Sequence, residues 1–293
     1  MKHKSGYVSI IGNPNVGKST LMNSWVGEKI SIITSKAQTT RHRILGIING
    51  EDFQVVLSDT PGVIKPNYQM QNSMMEFVKG AIEDSDILIY MIEIGETKIK
   101  DEVLFSKIEK IKTPLIVLIN KIDTSNQEDL QVSIEYWKNK LPKAEIFPIS
   151  ALTGFYVEEI FNHIIEKLPI YPPYFPKDQI TDKPERFFVN ESIREQILKN
   201  YEKEIPYSVE VETESFIEKE KIIHIKSLIY IERQSQKGIL IGHKGSALKK
   251  VGIGARIFLQ SFFRKKINIE LFVKVNKNWR NSQSQLKRFG YKN

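Results

Sequence analysis

The sequence predicts an α/β fold, a mostly parallel sheet with helices on both faces, followed by a smaller α+β domain. Three observations carry this reading. Residues 1–168 alternate short, β-branched apolar runs with longer segments at helical spacing. Residues 169–184 hold five prolines. Beyond them the order becomes helix, strand, strand, helices, strand. Strands separated by helices require crossover connections, and those produce a parallel sheet covered on both faces.

The expected strands of the first domain are Tyr7–Ile11, Phe53–Ser58, Ile87–Glu93, Leu115–Asn120 and Glu145–Ile149, with helices such as Met70–Glu83, Asp101–Lys110 and Val157–Leu168 between them. The proline-rich stretch cannot form a regular helix or a central strand, so it reads as a semi-rigid linker. In the third segment, Asn190–Tyr201 reads as an amphipathic helix and Ser208–Glu218 with Lys221–Glu232 as an antiparallel pair. A glycine-rich turn then leads to a helical run from Ser246 to Lys265, interrupted by Gly252 and Gly254. Ile267–Val275 is a third strand and Trp279–Phe289 a terminal helix. The expected division is therefore 1–168, a 169–184 linker, and 185–293. A chain of 293 residues is long enough for two cores.

Composition excludes several classes. With no cysteine there is no disulfide framework, thiolate metal site or thiol nucleophile. No apolar run reaches membrane-span length, and a working motif begins by residue 12, so the expectation is a cytoplasmic protein without a leader. The net charge of +8 is unevenly placed. Residues 1–184 hold 21 basic and 23 acidic side chains, whereas residues 219–293 hold 18 basic and 3 acidic. Such a segment suits a polyanionic partner, either nucleic acid or an anionic membrane surface; the plain alternative is a solvated basic face.

Gly12-Asn13-Pro14-Asn15-Val16-Gly17-Lys18-Ser19-Thr20 follows the first strand and fits G-x-x-x-x-G-K-[ST], the phosphate loop of P-loop NTPases. Its glycines let successive backbone N–H groups and the next helix N-terminus approach an anion. Lys18 would meet the β/γ-phosphates, and the Ser19 hydroxyl would bind Mg²⁺. Asp59-Thr60-Pro61-Gly62 ends the next hydrophobic strand, where a carboxylate can hold Mg²⁺ through water and a glycine N–H can sense the γ-phosphate. Asn120-Lys121-Ile122-Asp123 ends another. Asp123 can accept from guanine N1–H and its exocyclic amine, donors that adenine lacks, which disfavours an ATPase. Ser150-Ala151-Leu152 would offer a backbone N–H to the guanine oxygen.

Together with Thr40, these segments resemble the five signature motifs of translation-factor-related GTPases, in a Ras-like arrangement. Lys36-Ala37-Gln38-Thr39-Thr40-Arg41-His42-Arg43 resembles the first switch of the Era GTPases, and the resemblance covers nearly the whole chain. It implies GTP and GDP with Mg²⁺ on Ser19, Thr40 and Asp59, Thr39 being the alternative to Thr40, and Lys18, Thr40 and Gly62 as catalytic. His42 is open to two readings, a loop residue or a catalyst, the first being the plainer. Val63 stands where Ras-like enzymes place a water-orienting glutamine, which implies slow intrinsic hydrolysis. Asn15 resembles an asparagine that holds K⁺ in related GTPases; alternatively it shapes the loop.

Ile239-Leu240-Ile241-Gly242-His243-Lys244-Gly245-Ser246 contains G-x-x-G. Two glycines so spaced arise by chance about once in a chain of this size, so the pair is weak alone. Two strands before it, a helix and strand after it, and Lys244, Lys249, Lys250 and Arg256 nearby give the layout of a type II KH domain. There the loop lies on the backbone of about four nucleotides whose bases face an apolar groove. Gly242 and Gly245 would allow the approach, His243 and Lys244 would contact phosphate, and Ile239, Ile241 and Leu248 would line the groove. The Era resemblance implies the 3′ end of 16S rRNA as target, with a monomer assisting 30S subunit assembly. The alternative is a cell-cycle GTPase switch docked on the inner face of the cell membrane. A tRNA-modifying GTPase fits less well, because its relatives carry a C-terminal cysteine motif.

Overall fold

The computed structural model describes residues 2–98 and 100–292. The first strand, β1 (Lys4–Ile11), runs through a glycine-bounded loop into α1 (Lys18–Val26). Next come β2 (Ile44–Asn49), β3 (Phe53–Asp59), α2 (Gln69–Glu83), β4 (Ile87–Glu93), α3 (Glu102–Glu109), β5 (Leu115–Asn120), α4 (Gln127–Lys140), β6 (Glu145–Pro148) and α5 (Val157–Lys167). The six strands lie in the order β2-β3-β1-β4-β5-β6. All neighbours pair in parallel except β2 with β3. The α/β class and parallel sheet follow the sequence expectation; β2 and α4 were not singled out by it.

Every residue of β5 is buried, and every residue of β4 except Glu93. A strand buried at consecutive positions has both faces covered, which excludes polar groups from its middle. Functional side chains therefore enter at the carboxyl ends, where Asp59, Glu93 and Asn120 stand. That edge is where ligands bind in open parallel sheets.

The chain divides into two compact units at Asp182/Lys183, with the short segment Tyr68–Met70 grouped with the second. Residues 169–182 belong to the first unit and are tied to it by hydrogen bonds. Ile47 N donates to Ile180 O and Leu45 N to the Asp182 carboxylate, which covers the outer edge of β2. The Gln54 amide accepts from Tyr174 N and Phe175 N and donates to Phe175 O. Prolines keep this strap extended while the residues between them supply the bonds.

The second unit runs α6 (Glu185–Asn200), α7 (Ile205–Ser208), β7 (Glu210–Glu218), β8 (Ile222–Ile231), α8 (Gln234–Ile241), α9 (Ser246–Phe263), β9 (Lys266–Val275) and α10 (Gln283–Arg288). β7 pairs with β8 antiparallel, and β8 with β9 in parallel, so the chain must cross over through α8 and α9. Val189, Ile193 and Ile197 of α6, spaced one turn apart, pack with Val251, Ala255 and Leu259 of α9 and with Ile225 and Ile229 of β8.

Three expectations are corrected here. Gly252 and Gly254 do not interrupt α9. A Cβ at Gly254 would lie 2.2 Å from Gln196 Oε1, and one at Gly252 would lie 3.5 Å from Leu271 Cδ1, so these glycines let α6 and β9 approach the helix. The run before G-x-x-G is a helix, α8, instead of a turn. The C-terminal segment is a 3₁₀ turn at Trp279–Asn281 followed by the short α10, because Ser282 caps the new helix through Gln285 N. Trp279 is fully buried and donates to Ser208 O at 3.0 Å. Among the described residues, no helix is long and apolar enough to cross a membrane.

Candidate functional site

The carboxyl edge of the first sheet opens into a cavity of about 580 Å³. Its lining joins Pro14, Asn15 and Gly17–Thr20 to residues 32–35 and 38–40, and adds Gly62, Glu93, Asn120, Lys121, Asp123, Ala151 and Leu152. The sequence motifs, scattered over 140 residues, are therefore brought to one place. Gly12, Asn13, Val16, Thr60, Pro61, Val63, Ile122 and Ser150 are not part of that lining.

The loop after β1 leaves no room for a side chain at its first glycine. A Cβ at Gly12 would lie 2.1 Å from the Met91 carbonyl oxygen. Lys18 is buried, and its ammonium donates to Gly12 O at 3.2 Å and Asn13 O at 2.8 Å. Burial lowers its pKa from 10.5 to about 8, against the opposing pull of Asp59 and Glu96. It is thus a concealed cation held on two loop carbonyls at the cavity wall, a charge suited to phosphate.

Three oxygen groups converge beside it. Ser19 Oγ donates to Asp59 Oδ2 at 2.7 Å and lies 2.9 Å from Thr40 Oγ1, which is itself 3.4 Å from Asp59 Oδ2. Asp59 is fully buried, and its other oxygen, Oδ1, has no hydrogen bond among the described residues. Burial raises its pKa, only partly offset by Lys18 and by the Ser19 and Thr40 hydroxyls. A buried carboxylate with an unused oxygen and two adjacent hydroxyls is a hard-oxygen donor set that fits Mg²⁺. Of the two candidate threonines, Thr40 stands in this cluster. Thr39 Oγ1 instead lies 2.7 Å from Thr34 Oγ1 and donates to Lys36 O at 2.5 Å.

At the other end, Asn120 is buried and braces two loops: its Nδ2 donates to Val16 O at 2.7 Å and its Oδ1 accepts from Ala151 N at 2.9 Å. Ser150 Oγ donates to Asp123 Oδ1 at 2.5 Å, which aims an exposed carboxylate over the cavity mouth. Lys121, at φ 66°, pairs with Glu93 at 2.7 Å. Thr60 Oγ1 donates to Ile10 O at 2.8 Å, and Val63 N donates to Gly12 O at 3.0 Å. The Val63 side chain is fully buried and so cannot face a water at the phosphates. Asn15 Nδ2 donates to Ser35 O at 2.7 Å, linking the phosphate loop to the segment before Thr40. His42 packs on Phe77, with ring centroids 5.9 Å apart.

In the second unit, the end of the Gly242–Gly245 loop, α9 and β9 border a groove of about 340 Å³. Gly242 sits at φ 73°, and a Cβ there would lie 2.6 Å from the Ala247 Cβ. His243, Lys244, Lys249 and Lys250 are exposed. Gly245, Leu248 and Lys249 line the groove together with Gly252, Ile253, Arg256, Asn268, Ile269 and Leu271. Ile239 and Ile241 are not in that lining. They lie on α8, where Ile239 is 54% exposed and Ile241 packs on the core. The sequence missed Asn268, Ile269 and Leu271 as groove residues, although their alternation along β9 marks Ile269 and Leu271 as one face.

A family model described as "50S ribosome-binding GTPase" matches residues 7–121, and a KH-domain model matches residues 204–280. One similar solved structure is Era in complex with MgGDPNP and nucleotides 1506–1542 of 16S ribosomal RNA: 37% identity, TM-score 0.94, covering 99% of each chain. Another is a point variant of Aquifex aeolicus Era bound to GDP·AlF₄⁻: 38% identity, TM-score 0.94, covering 98% of this chain and 99% of that one.

Proposed function

Because the chain belongs to the Era family of GTPases, we propose that it is a GTP-switched factor that binds the 3′ end of 16S rRNA and assists assembly of the 30S subunit. The first unit is a P-loop GTP hydrolase. The observation that carries the rest is the pairing, in one chain, of a complete phosphate-and-guanine cavity with a basic G-x-x-G groove.

In this reading the backbone N–H groups of the Gly12–Ser19 loop, Pro14 apart, and the Lys18 ammonium hold the phosphates, and Gly62 offers an N–H to the γ-phosphate. Asp123 reads the guanine edge, Ser150 fixes its carboxylate, and Ala151 supplies a backbone N–H to the guanine oxygen. Ser19, Thr40 and Asp59 would hold Mg²⁺, which when bound neutralises charge developing on the phosphates. Thr40 connects that cluster to residues 32–39, so loss of the γ-phosphate releases the segment, as order–disorder switching requires. Valine at position 63 offers no group to orient water, so intrinsic hydrolysis is slow. The Asn15 carboxamide oxygen is the atom that would take a K⁺ ion; an unchanged hydrolysis rate on replacing K⁺ by Na⁺ would remove potassium from the mechanism.

The G-x-x-G loop and its groove would take unpaired nucleotides, with Gly242 and Gly245 against the backbone, His243, Lys244, Lys249 and Lys250 on phosphates, and Leu248, Ile253, Ile269 and Leu271 against bases. We place the chain in the cytoplasm as a monomer. The deciding experiment is a gel shift with a 16S 3′-end oligonucleotide. Wild type should bind, and Gly242→Asp should abolish that binding while GTP binding persists. Unchanged RNA affinity in the variant, or sedimentation with anionic vesicles in place of an RNA shift at the same salt, would count against the reading.

A further inference from the structure

Asn13 belongs to the phosphate loop, yet its side chain makes no bond within the cavity. It is 6% exposed, and among the described residues its side-chain bonds go to Glu96, Lys98 and Lys100, in the loop that follows β4. Its Nδ2 donates to the Glu96 carboxylate and to Lys98 O at 2.9 Å, and its Oδ1 accepts from Lys100 N at 3.3 Å. The backbone of the same residue faces the site, because its carbonyl oxygen accepts from Lys18 Nζ at 2.8 Å.

Glu96 extends the connection toward the guanine end. Its second oxygen accepts from Glu93 N at 3.0 Å, and the Glu93 carboxylate pairs with Lys121 at 2.7 Å, next to Asp123's own turn. α4 anchors the far side of the loop. Trp137 Nε1 donates to Glu96 O at 3.1 Å, Tyr136 Oη to Thr97 O at 2.7 Å, and Ser133 Oγ accepts from Gly95 N at 3.2 Å. The loop is therefore fixed to a rigid helix, and it in turn fixes both ends of the cavity through two carboxylates.

We infer that Asn13 and Glu96 form a latch that sets how long a guanine nucleotide stays bound. The inference rests on the nucleotide-site reading above. The Asn13 side chain contributes no direct contact to the ligand; it is a positioning group. Lys18 uses two of its three N–H donors on Gly12 O and Asn13 O, which leaves one for phosphate, and the Asn13 side-chain bonds hold that carbonyl in place as the nucleotide enters. A charge-assisted bond between an amide and a carboxylate is the strongest of these ties. Breaking it lets the phosphate loop flatten and the nucleotide leave.

The test is stopped-flow release of a fluorescent GDP derivative from the full chain. Asn13→Ala and Glu96→Ala are each expected to speed release about tenfold, the loss of one charge-assisted bond, and the double variant no more than the faster single one. Asn13→Asp sets two carboxylates face to face and should release faster still. Adding Glu96→Gln restores a donor to the pair, and release should slow again by roughly fivefold or more. General loosening of the loop would not be reversed by a second substitution. Release from the single alanine variants within about twofold of wild type, multiplicative effects in the double variant, or no rescue by Glu96→Gln would overturn the latch. Failure of wild type to bind the GDP derivative would overturn the nucleotide-site reading itself; binding with unmoved rates would overturn the latch alone.

Discussion

Two glycine-framed loops precede helices in this chain, and they are built to opposite specifications. At Gly12 the backbone is closed in, with a carbonyl 2.1 Å from where a Cβ would stand. The lysine of that loop is buried, and its polar side chains are already hydrogen-bonded to neighbours. At Gly242–Gly245 nothing stands within 4 Å of a Cβ on the second glycine, and His243, Lys244, Lys249 and Lys250 point to solvent. The first loop is preorganised for one ligand with fixed charges and fixed donors, so its selectivity comes from unpaired groups that a wrong ligand would leave behind. The second offers mobile cations beside an apolar groove, which suits a polymer whose charge repeats and whose bases stack without demanding one geometry.

Breaking either loop should strike its own ligand far harder than the other's. The largest is expected from Gly12→Val, whose side chain has nowhere to go: nucleotide binding should fall by about a hundredfold or more while the melting transition persists, measured by calorimetric titration with GDP. Next is Asp123→Asn. Guanine binding should weaken by about 2–3 kcal/mol as the acceptor pair is lost, and xanthine nucleotide, with an oxygen in place of the exocyclic amine, should gain affinity. Competition between GDP and XDP measures both, and an unchanged preference would remove Asp123 from base recognition.

The two sites should also part on salt and pH. RNA affinity should fall with rising salt at a log–log slope near −0.7 per phosphate neutralised on a single strand. Nucleotide affinity should respond less, since Lys18 is screened by burial rather than by ions. For pH, Lys18 in the nucleotide-free protein titrates near 8, below its ordinary 10.5. Phosphate favours the ammonium, so binding above pH 8 must take up a proton, and affinity should fall by about tenfold per unit there while staying flat from 7 to 8. The same shift has a stability sign: folding disfavours the charged lysine, so its cost is complete below the folded value of about 8 and vanishes as pH rises past 10.5. A flat affinity from pH 8 to 9 would contradict the assignment of Lys18 to phosphate.

The nucleotide motifs were legible because phosphate and guanine chemistry demand given residue types at given spacings, each at the end of a strand that periodicity alone reveals. The ties between motifs were not. Asn13 and Glu96 are 83 residues apart, and nothing local to either announces the other. The same holds for the strap at 169–182, where the prolines show only that the chain is extended, not that Gln54 receives it. Gly254 reads locally as a helix breaker, yet its neighbour Gln196 lies on another helix. Ile239–Ile241 is a short apolar run of the kind that fits strand, turn or helix equally until its partners are known. β2 escaped notice because half of what marks it, pairing with β3 and with the strap, is not in its own sequence.

A GTP-switched factor requires that the closed loop control the open one. The most direct measurement is the affinity of the full chain for the 16S 3′-end oligonucleotide in GDP and in a non-hydrolysable GTP analogue, with nucleotide affinity measured in turn with and without RNA. A ratio of about fivefold or more is expected between the two nucleotide states, and the same ratio when the experiment is reversed, as linkage requires. Equal RNA affinities in both states would contradict it.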